Sequence, residues 1–231
     1  MKKCKILILF LVTGLGLNAQ DSFDDSQLGA WYMYFWNKDF SESHWGFQGD
    51  VQFRNWDYGS DLEQLLLRGG LTYNPADTKC KFTLGYGNIT SGEFGEGDNT
   101  SSESRIYQEA LLPQKIGGRF YLKHRFRYEQ RFTDADIIRT RYRYNLFLTV
   151  PLNQKMLTKK AIYLALYNEL FINGQKDLGN GESVEFYDRN RFYAALGYSI
   201  KDNVKVQLGW MQQTTNTWSK DQIQLSIHHS F

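Results

Sequence analysis

Residues 119–131, with the sequence RFYLKHRFRYEQR, decide the fold. Charged and polar residues occupy every second position, and mostly apolar or aromatic residues lie between them. The first set is Arg119, Tyr121, Lys123, Arg125, Arg127, Glu129 and Arg131, and the second is Phe120, Leu122, His124, Phe126, Tyr128 and Gln130. A strand points successive side chains to opposite faces, whereas a helix would scatter both sets around its circumference. The stretch therefore predicts a strand with one charged face.

The same alternation continues along the chain and predicts about ten strands, with 10–12 as the range. Their expected positions are 45–56, 63–73, 80–89, 104–112, 119–131, 138–150, 160–172, 188–200, 203–213 and 219–231. Most are close to the length of 9–11 residues with which a tilted strand crosses a bilayer. We therefore expect an all-β fold, a transmembrane antiparallel up-and-down β-barrel.

The predicted connections alternate between short turns and longer loops. Pro75, Pro113 and Pro151 fall at expected turns, where proline removes no hydrogen bond from the sheet. The long loops are the glycine- and acid-rich stretches 90–103 and 173–187. Short periplasmic turns and long outer loops are typical of outer-membrane barrels, so we expect both long loops at the cell surface.

The N-terminus predicts export. Lys2, Lys3 and Lys5 precede the apolar run 6–17, and a cleavage site follows before Gln20, so residues 1–19 are interpreted as a signal peptide. A retained anchor is the less favoured alternative, because a membrane-spanning helix needs about 20 apolar residues. After cleavage Cys80 would be the single cysteine, which excludes an internal disulfide.

The composition favours a membrane barrel over a soluble domain or a nucleic-acid-binding protein. Aromatic residues make up 16% of the chain although its mean hydropathy is only −0.52. Strands that face lipid with every second residue, between girdles of aromatic residues, produce this combination. Removing the three lysines of the signal from 27 basic residues leaves fewer basic than the 25 acidic residues. The overall charge therefore predicts no nucleic-acid partner.

Residues 28–36, LGAWYMYFW, could form a further strand. Bacterial single-chain barrels normally have an even number of strands, and an eleventh would begin at the cell surface. We therefore divide the mature chain into an N-terminal segment, 20–44, with a possible extra strand, and a barrel, 45–231. The place of residues 28–36 stays open at this point.

The last strand ends with apolar residues at alternate positions, namely Leu225, Ile227 and the terminal Phe231. This pattern resembles the signal that the bacterial barrel-assembly machinery reads, so that machinery and membrane lipid are the expected partners. The oligomeric state is not predicted.

The order of motifs from about Gly29 to Phe231 is similar to a family of bacterial outer-membrane proteins labelled domain of unknown function 2490, common in Bacteroidota. The motifs are LGAW at 28–31, RIYQE at 105–109, RTRYRYNLFLTVPL at 139–152, YNE at 167–169 and RNR at 189–191. This resemblance implies a barrel in the outer membrane of a Gram-negative cell. It implies no activity.

Alternation directs an excess of basic residues to the barrel interior, because a charge facing lipid would cost about 2–4 kcal/mol near the bilayer midplane. The basic positions are Arg54, Arg68, Arg105, Arg119, Lys123, Arg125, Arg127, Arg131, Arg139, Arg141, Arg143, Arg189, Arg191 and Lys205, and the acidic ones are Asp50, Glu109, Glu129 and Glu169. The favoured interpretation is an interior filled by interlocked side chains. A water-filled, anion-selective passage and a pocket for an anionic ligand are the alternatives.

Catalytic and metal sites are weakly indicated. His228 and Ser230 share a face, but no acid can be named to orient the histidine for nucleophilic catalysis. The acidic residues of 91–103 do not have the spacing of a calcium loop. We expect no enzyme, no metal and no cofactor, and an outer-membrane barrel with a structural or accessory role. A small anion channel is the alternative, followed by a lipid-modifying enzyme.

Overall fold

The computed structural model describes residues 26–95, 97, 99–133, 137–179 and 181–231. The expected signal peptide, 1–19, lies outside these residues. Within the described part every regular element is a strand, and no helix is long and apolar enough to cross a membrane. The strands are β1 (Gly29–Asp39), β2 (Trp45–Asn55), β3 (Leu62–Tyr73), β4 (Lys81–Gly92), β5 (Thr100–Ile116), β6 (Phe120–Phe132), β7 (Arg139–Pro151), β8 (Ile162–Asn173), β9 (Asp177–Gly179), β10 (Glu182–Ser183), β11 (Tyr187–Lys201), β12 (Val204–Thr214) and β13 (Ser219–Ser230).

Eleven of these strands close into one barrel, in the order β1-β13-β12-β11-β8-β7-β6-β5-β4-β3-β2. Strands that are neighbours in the chain pair antiparallel, as in an up-and-down barrel. β9 and β10 form a separate two-stranded hairpin in the connection from β8 to β11. The all-β barrel and its strand number, within 10–12, are confirmed.

Residues 28–36, whose place the sequence left open, contribute to β1. The barrel therefore has eleven strands, and the expectation of an even number is wrong. β1 pairs antiparallel with β2 and parallel with β13, from Gly29 opposite Gln222 to Asn37 opposite Ser230. A ring of alternating antiparallel strands needs an even number, and one parallel pair permits an odd number. The amide of Phe231 donates to the carbonyl of Asn37 at 2.9 Å and extends this parallel seam.

The barrel has two distinct ends. We call the end that carries the turns 40–44, 74–80, 117–119, 152–161 and 202–203 the C-terminal end, because β13 finishes there. β2, β4, β6, β8 and β12 finish at the opposite end, which includes the turns 56–61 and 215–218, and β1 starts there. In the turn 56–61 the Ser60 hydroxyl donates to Asp57 and lowers the pKa of that carboxyl below its ordinary value.

Parts of the expected connections belong to strands in the structure. The loop 90–103 is shorter than expected, because β4 continues to Gly92 and β5 begins at Thr100. Pro113 lies inside β5 opposite Lys123 and Pro151 ends β7, so neither proline is in a turn. Proline is tolerated where its nitrogen has no partner to lose in the sheet.

The outward face of the barrel is apolar. Leu84, Leu196 and Leu208 are each about 60% exposed, and outward aromatic residues pair near both ends. The rings of Trp45 and Tyr73 are 4.8 Å apart at the C-terminal end, and those of Tyr128 and Tyr142 are 5.1 Å apart towards the opposite end. Large apolar side chains are thus exposed on the outside while charged ones are buried inside.

Candidate functional site in the barrel interior

The candidate site is the charged inward face of β2, β3, β5, β6, β7, β8 and β11. The period of two places Arg105 and Glu109 of β5 on the same face as Arg127 and Glu129 of β6. These inward side chains are almost fully buried although they are ionic: Arg54, Arg68, Arg105, Arg127, Arg141, Arg143, Arg191, Asp50, Glu109, Glu129 and Glu169. Buried charges are tolerated when they are paired and hydrogen-bonded, so their contacts decide what the interior can do.

Glu129 is a carboxylate shared by arginines of two strands. Arg141 donates to its Oε2 from Nε at 3.0 Å and from Nη2 at 2.8 Å. Arg143 donates to Oε1 from Nη1 at 2.6 Å, and the Nη1 of Arg127 lies 3.7 Å from the same oxygen. Charge-assisted bonds of this kind are the strong ones in a protein, so Glu129 holds β6 and β7 together from inside.

Glu169 and Glu109 continue the same network. The Oε1 of Glu169 accepts from Nε of Arg143 at 2.9 Å and from Nη2 of Arg125 at 2.6 Å. The Oε2 of Glu109 accepts from Nε of Arg127 at 2.7 Å, and its Oε1 accepts from Nε2 of Gln48 at 3.0 Å. Gln48 belongs to β2, which is not next to β5 in the sheet, so this contact bridges strands that do not pair.

Two further carboxylates pair with arginines nearer to the opposite end. Glu103 accepts from Nε of Arg131 at 2.6 Å and from Arg105. Asp188 accepts from Nη1 of Arg141 at 3.0 Å and forms an ion pair with Arg189 at 3.1 Å. Because Arg141 contacts both Glu129 and Asp188, the ion pairs run without interruption from the barrel centre towards this end.

Aromatic rings replace carboxylates around Arg54 and Arg191. The guanidinium of Arg54 lies 3.8 Å from the ring of Trp31, and that of Arg191 lies 4.9 Å from it. Arg191 is also 4.8 Å from the ring of Phe171, which the guanidinium of Arg143 approaches to 4.5 Å. Cation–π contacts stabilise a guanidinium where no anion is near. Asp50, by contrast, pairs directly with Arg68 at 2.8 Å.

Two glycines allow aromatic side chains to lie flat inside the barrel. Tyr107 covers Gly85 on the neighbouring strand, and Tyr163 covers Gly197. A Cβ atom at either glycine would collide with the tyrosine ring. Tyr107 in turn supports Arg127, whose guanidinium lies 4.2 Å from its ring centre.

A cavity of about 650 Å³ lies next to the ion-pair network. Its walls include Trp31, Met33, Phe147, Tyr163 and Tyr193, and Lys123, Lys205 and His228 also line it. A buried apolar cluster of Trp31, Tyr163, Ala165, Tyr193, Ala195 and Met211 forms one side of the interior. The interior is therefore ionic at its centre and partly apolar towards the C-terminal end.

The structure brings most of the predicted charged positions together and places others apart. Arg119 is exposed in the turn 117–119 and contributes nothing to the interior, because β6 begins one residue later. Lys123 and Lys205 face the cavity and form no ion pair with the described residues. Arg139 faces the interior near the opposite end, and its Nε is buried without a partner in the described part of the chain.

The acidic residues Glu103, Asp188 and Glu63 were missed by sequence reasoning. Glu103 lies two residues before Arg105 and therefore on the same face of the strand. A predicted strand that began at 103 instead of 104 would have included it. A register shift between Tyr187 and Arg189 turns Asp188 inward. The alternation of residue types in the sequence does not show where such a bulge occurs. Glu63 follows a second register shift and accepts the indole N–H of Trp31 at 2.8 Å.

His228 and Ser230, which share a face of the last strand, have different hydrogen-bond partners. Nε2 of His228 lies 3.0 Å from the Oγ of Ser226, whereas the Oγ of Ser230 accepts from Asn37 at 3.1 Å. Ser226 is 1% exposed, and the electrostatic neighbours of His228 are the cations Lys123 and Lys205. Within the described residues no group of three or more His, Cys, Asp or Glu side chains could hold a metal ion.

The C-terminal residues lie on the outside of the barrel. Leu225, Ile227 and Phe231 are exposed, and the ring of Phe231 contacts that of His229 in a tilted arrangement, with 3.9 Å between centroids. Their role as an assembly signal remains a prediction.

The fold and the interior define a class of protein, a closed β-barrel with an apolar outside and an ionic inside. A family model described as "Protein of unknown function (DUF2490)" matches residues 28–224. The chain belongs to this family, as its motifs indicated. Comparison with curated proteins and with solved structures finds no match in either set.

Proposed function

We propose that this protein is an integral barrel of the bacterial outer membrane with a structural or accessory role, and that it is not an enzyme. One observation carries the proposal: Leu84, Leu196 and Leu208 are about 60% exposed on the outside, while Glu129 is 1% exposed inside. Soluble proteins rarely expose apolar patches beyond a few hundred Å². A closed barrel leaves no unpaired strand edge, which is what a membrane-spanning sheet requires.

Lipid and the barrel-assembly machinery are the partners that this proposal implies. Outward aromatic residues near both ends of the barrel suit the two interfaces of a bilayer. The exposed Leu225 and Ile227 lie on the closing strand and Phe231 directly follows it, where the assembly machinery would read them.

Fractionation and heat-dependent gel mobility test the membrane placement. We expect the protein in the outer-membrane fraction, and we expect the unboiled, folded barrel to migrate differently from the boiled chain in SDS. Recovery of the folded chain from the soluble periplasmic fraction, with no change in mobility on boiling, would refute the proposal.

The ion-pair network supports a filled interior over an open anion channel. Arg141, Arg143 and Glu129 are buried in mutual contact, and Gln48 reaches Glu109 across strands that do not pair. The excess of basic residues is the observation that favours the channel. We expect no steady conductance from the purified barrel in planar bilayers. Reproducible anion-selective steps would establish the channel instead.

A lipid-modifying activity is the other alternative, and the Ser226–His228 contact is the observation in its favour. A serine nucleophile must be reached by substrate, and its histidine needs a group that orients it. Ser226 is buried, and the residues acting on His228 are cations. We expect purified protein to release no fatty acid from phospholipid vesicles. Release that is abolished by Ser226→Ala would overturn this part of the proposal.

A further inference from the structure

The cavity at the C-terminal end combines an apolar wall with unpaired positive charge. Its volume of about 650 Å³ lies within the 300–1,000 Å³ range of small-molecule sites. The apolar wall comes from β1, β8, β11 and β12, through side chains such as Met33, Tyr163 and Tyr193. Leu157, from the turn 152–161, packs against this wall from the C-terminal end.

The positive charge comes from Lys123 of β6 and Lys205 of β12. Lys205 is the register partner of His228 on β13, and Lys123 lines the same cavity as both residues, so the two lysines face one space from different strands. Lys123 is exposed to the cavity, with its Nζ 4.7 Å from the ring centre of Phe147. The Nζ of Lys205 donates to the backbone carbonyl of Asp202 at 3.1 Å.

Other groups already hold the nearby carboxylates. Asp202 lies three residues before Lys205 in the turn 202–203, and its Oδ1 accepts from the backbone amide of Lys159 at 2.7 Å. Glu109 pairs with Arg127, and Glu169 pairs with Arg125 and Arg143. Neither lysine forms an ion pair with any part of the chain that the structure describes. A cation in a confined space is stabilised by an anion that enters it.

We propose that this cavity binds an amphipathic anion, an apolar chain or ring system that carries one carboxylate or phosphate head group. The head group contacts Lys123 and Lys205, and the apolar body lies against Met33, Tyr163 and Tyr193. This inference goes beyond the structural role proposed above. It does not depend on the proposed placement of the barrel in the outer membrane.

Binding of a fluorescent probe to the full-length folded barrel tests the proposal. We would keep the protein in amphipol, titrate it with dansyl-aminoundecanoic acid, and displace the probe with dodecanoate, dodecyl phosphate, dodecanol or dodecyltrimethylammonium. We expect saturable binding that both anions displace and that the neutral and cationic compounds displace at least about tenfold more weakly. The ratio between dodecanoate and dodecyl phosphate distinguishes a carboxylate source from a phosphate source.

Charge-removing variants locate the site. Lys123→Gln combined with Lys205→Gln is expected to weaken anion binding at least about tenfold. Lys159→Gln combined with Lys201→Gln removes the same charge from exposed positions at the same end and is expected to leave binding unchanged. Met33→Trp, which narrows the cavity without changing charge, is expected to abolish binding.

Heat-dependent mobility of each variant shows that the barrel is folded. Absence of saturable binding to the folded parent protein would overturn the proposal, as would equal displacement by dodecanol and dodecanoate. An equal loss of affinity in the two double-lysine variants would also overturn the proposal. The weaker binding would then follow from the lower net charge of the protein and not from the cavity. None of these results bears on the membrane placement, which fractionation tests separately.

Discussion

Glu129 is 1% exposed and contacts guanidinium groups of Arg127, Arg141 and Arg143. At the scale of a residue, this carboxylate shows how the interior tolerates so many cations. Each shared oxygen lowers the electrostatic energy of more than one arginine, and the planar guanidinium can donate to two carboxylates at once. Removing one such carboxylate leaves several buried cations without their partner.

Glu129→Gln is therefore expected to lower the free energy of unfolding by about 3–5 kcal/mol, the usual cost of breaking a buried ion pair. The amide has nearly the same shape, so the loss reports charge and hydrogen bonding more than packing. Urea unfolding of the barrel in lipid vesicles, followed by tryptophan fluorescence, measures the change.

Glu185→Gln is the matched control for this variant. The ion pair of Glu185 with Lys176 is exposed, with 68% and 49% of the two side chains accessible. Exposed pairs contribute about 0–1 kcal/mol, so the control is expected to unfold nearly as the parent does. A loss of similar size in both variants would contradict the role assigned to the buried network.

At the scale of the strand, alternation was sufficient to predict most of the barrel. Residues 119–131 were expected as a strand and form β6 (Phe120–Phe132), and 203–213 were expected where β12 (Val204–Thr214) lies. The reason is physical, because an apolar outside and an ionic inside enforce a period of two along every strand of the barrel. That same constraint placed Arg127, Glu129 and Arg143 inside from sequence alone.

The sequence could not predict features that the period of two does not control. The bulge that turns Asp188 inward leaves the residue types of the strand unchanged. The alternation of residue types also does not show whether β1 pairs parallel or antiparallel with β13. Either pairing gives β1 one inward and one outward face. For the same reason the sequence identified Glu109 and Arg127 as interior residues but not as partners.

The parallel seam between β1 and β13 makes a prediction at this scale. Asn37 and Ser230 are register partners with side chains in contact at 3.1 Å. Asn37→Cys combined with Ser230→Cys, in a Cys80→Ser background, is expected to form a disulfide under oxidising conditions. The closed loop would make the boiled, non-reduced chain migrate faster in SDS than the reduced one.

Asn37→Cys combined with Ser219→Cys controls for random oxidation. Ser219 starts the same strand at the opposite end of the barrel, so no disulfide is expected. An antiparallel seam would bring Asn37 close to the beginning of β13 instead, and crosslinking of the control pair alone would contradict the parallel closure.

At the scale of the molecule, the proposed membrane placement predicts opposite accessibility for the two ends. Cys80 lies between β3 and β4 at the C-terminal end. Gly59 lies in a turn at the opposite end, where an added Cβ would meet no atom within 4 Å. Gly59→Cys in a Cys80→Ser background is expected to react on intact cells with a maleimide attached to a polyethylene glycol too large to cross the outer membrane. Cys80 of the parent protein is expected to react only after the outer membrane is permeabilised.

Both proteins should react equally once they are unfolded in urea, which controls for the intrinsic reactivity of the thiols. Reaction of Cys80, and not of the Gly59→Cys variant, on intact cells would mean that the barrel is inserted in the opposite direction.

The parallel seam also bears on how the ring opens and closes. Parallel ladders are slightly weaker per residue than antiparallel ones, and β1 and β13 are the two barrel strands farthest apart in the chain. Bringing them together costs the most chain entropy of any pair in the ring, since every other barrel pair joins strands that are closer in sequence. We therefore expect this junction to form last during folding and to separate first when the ring opens.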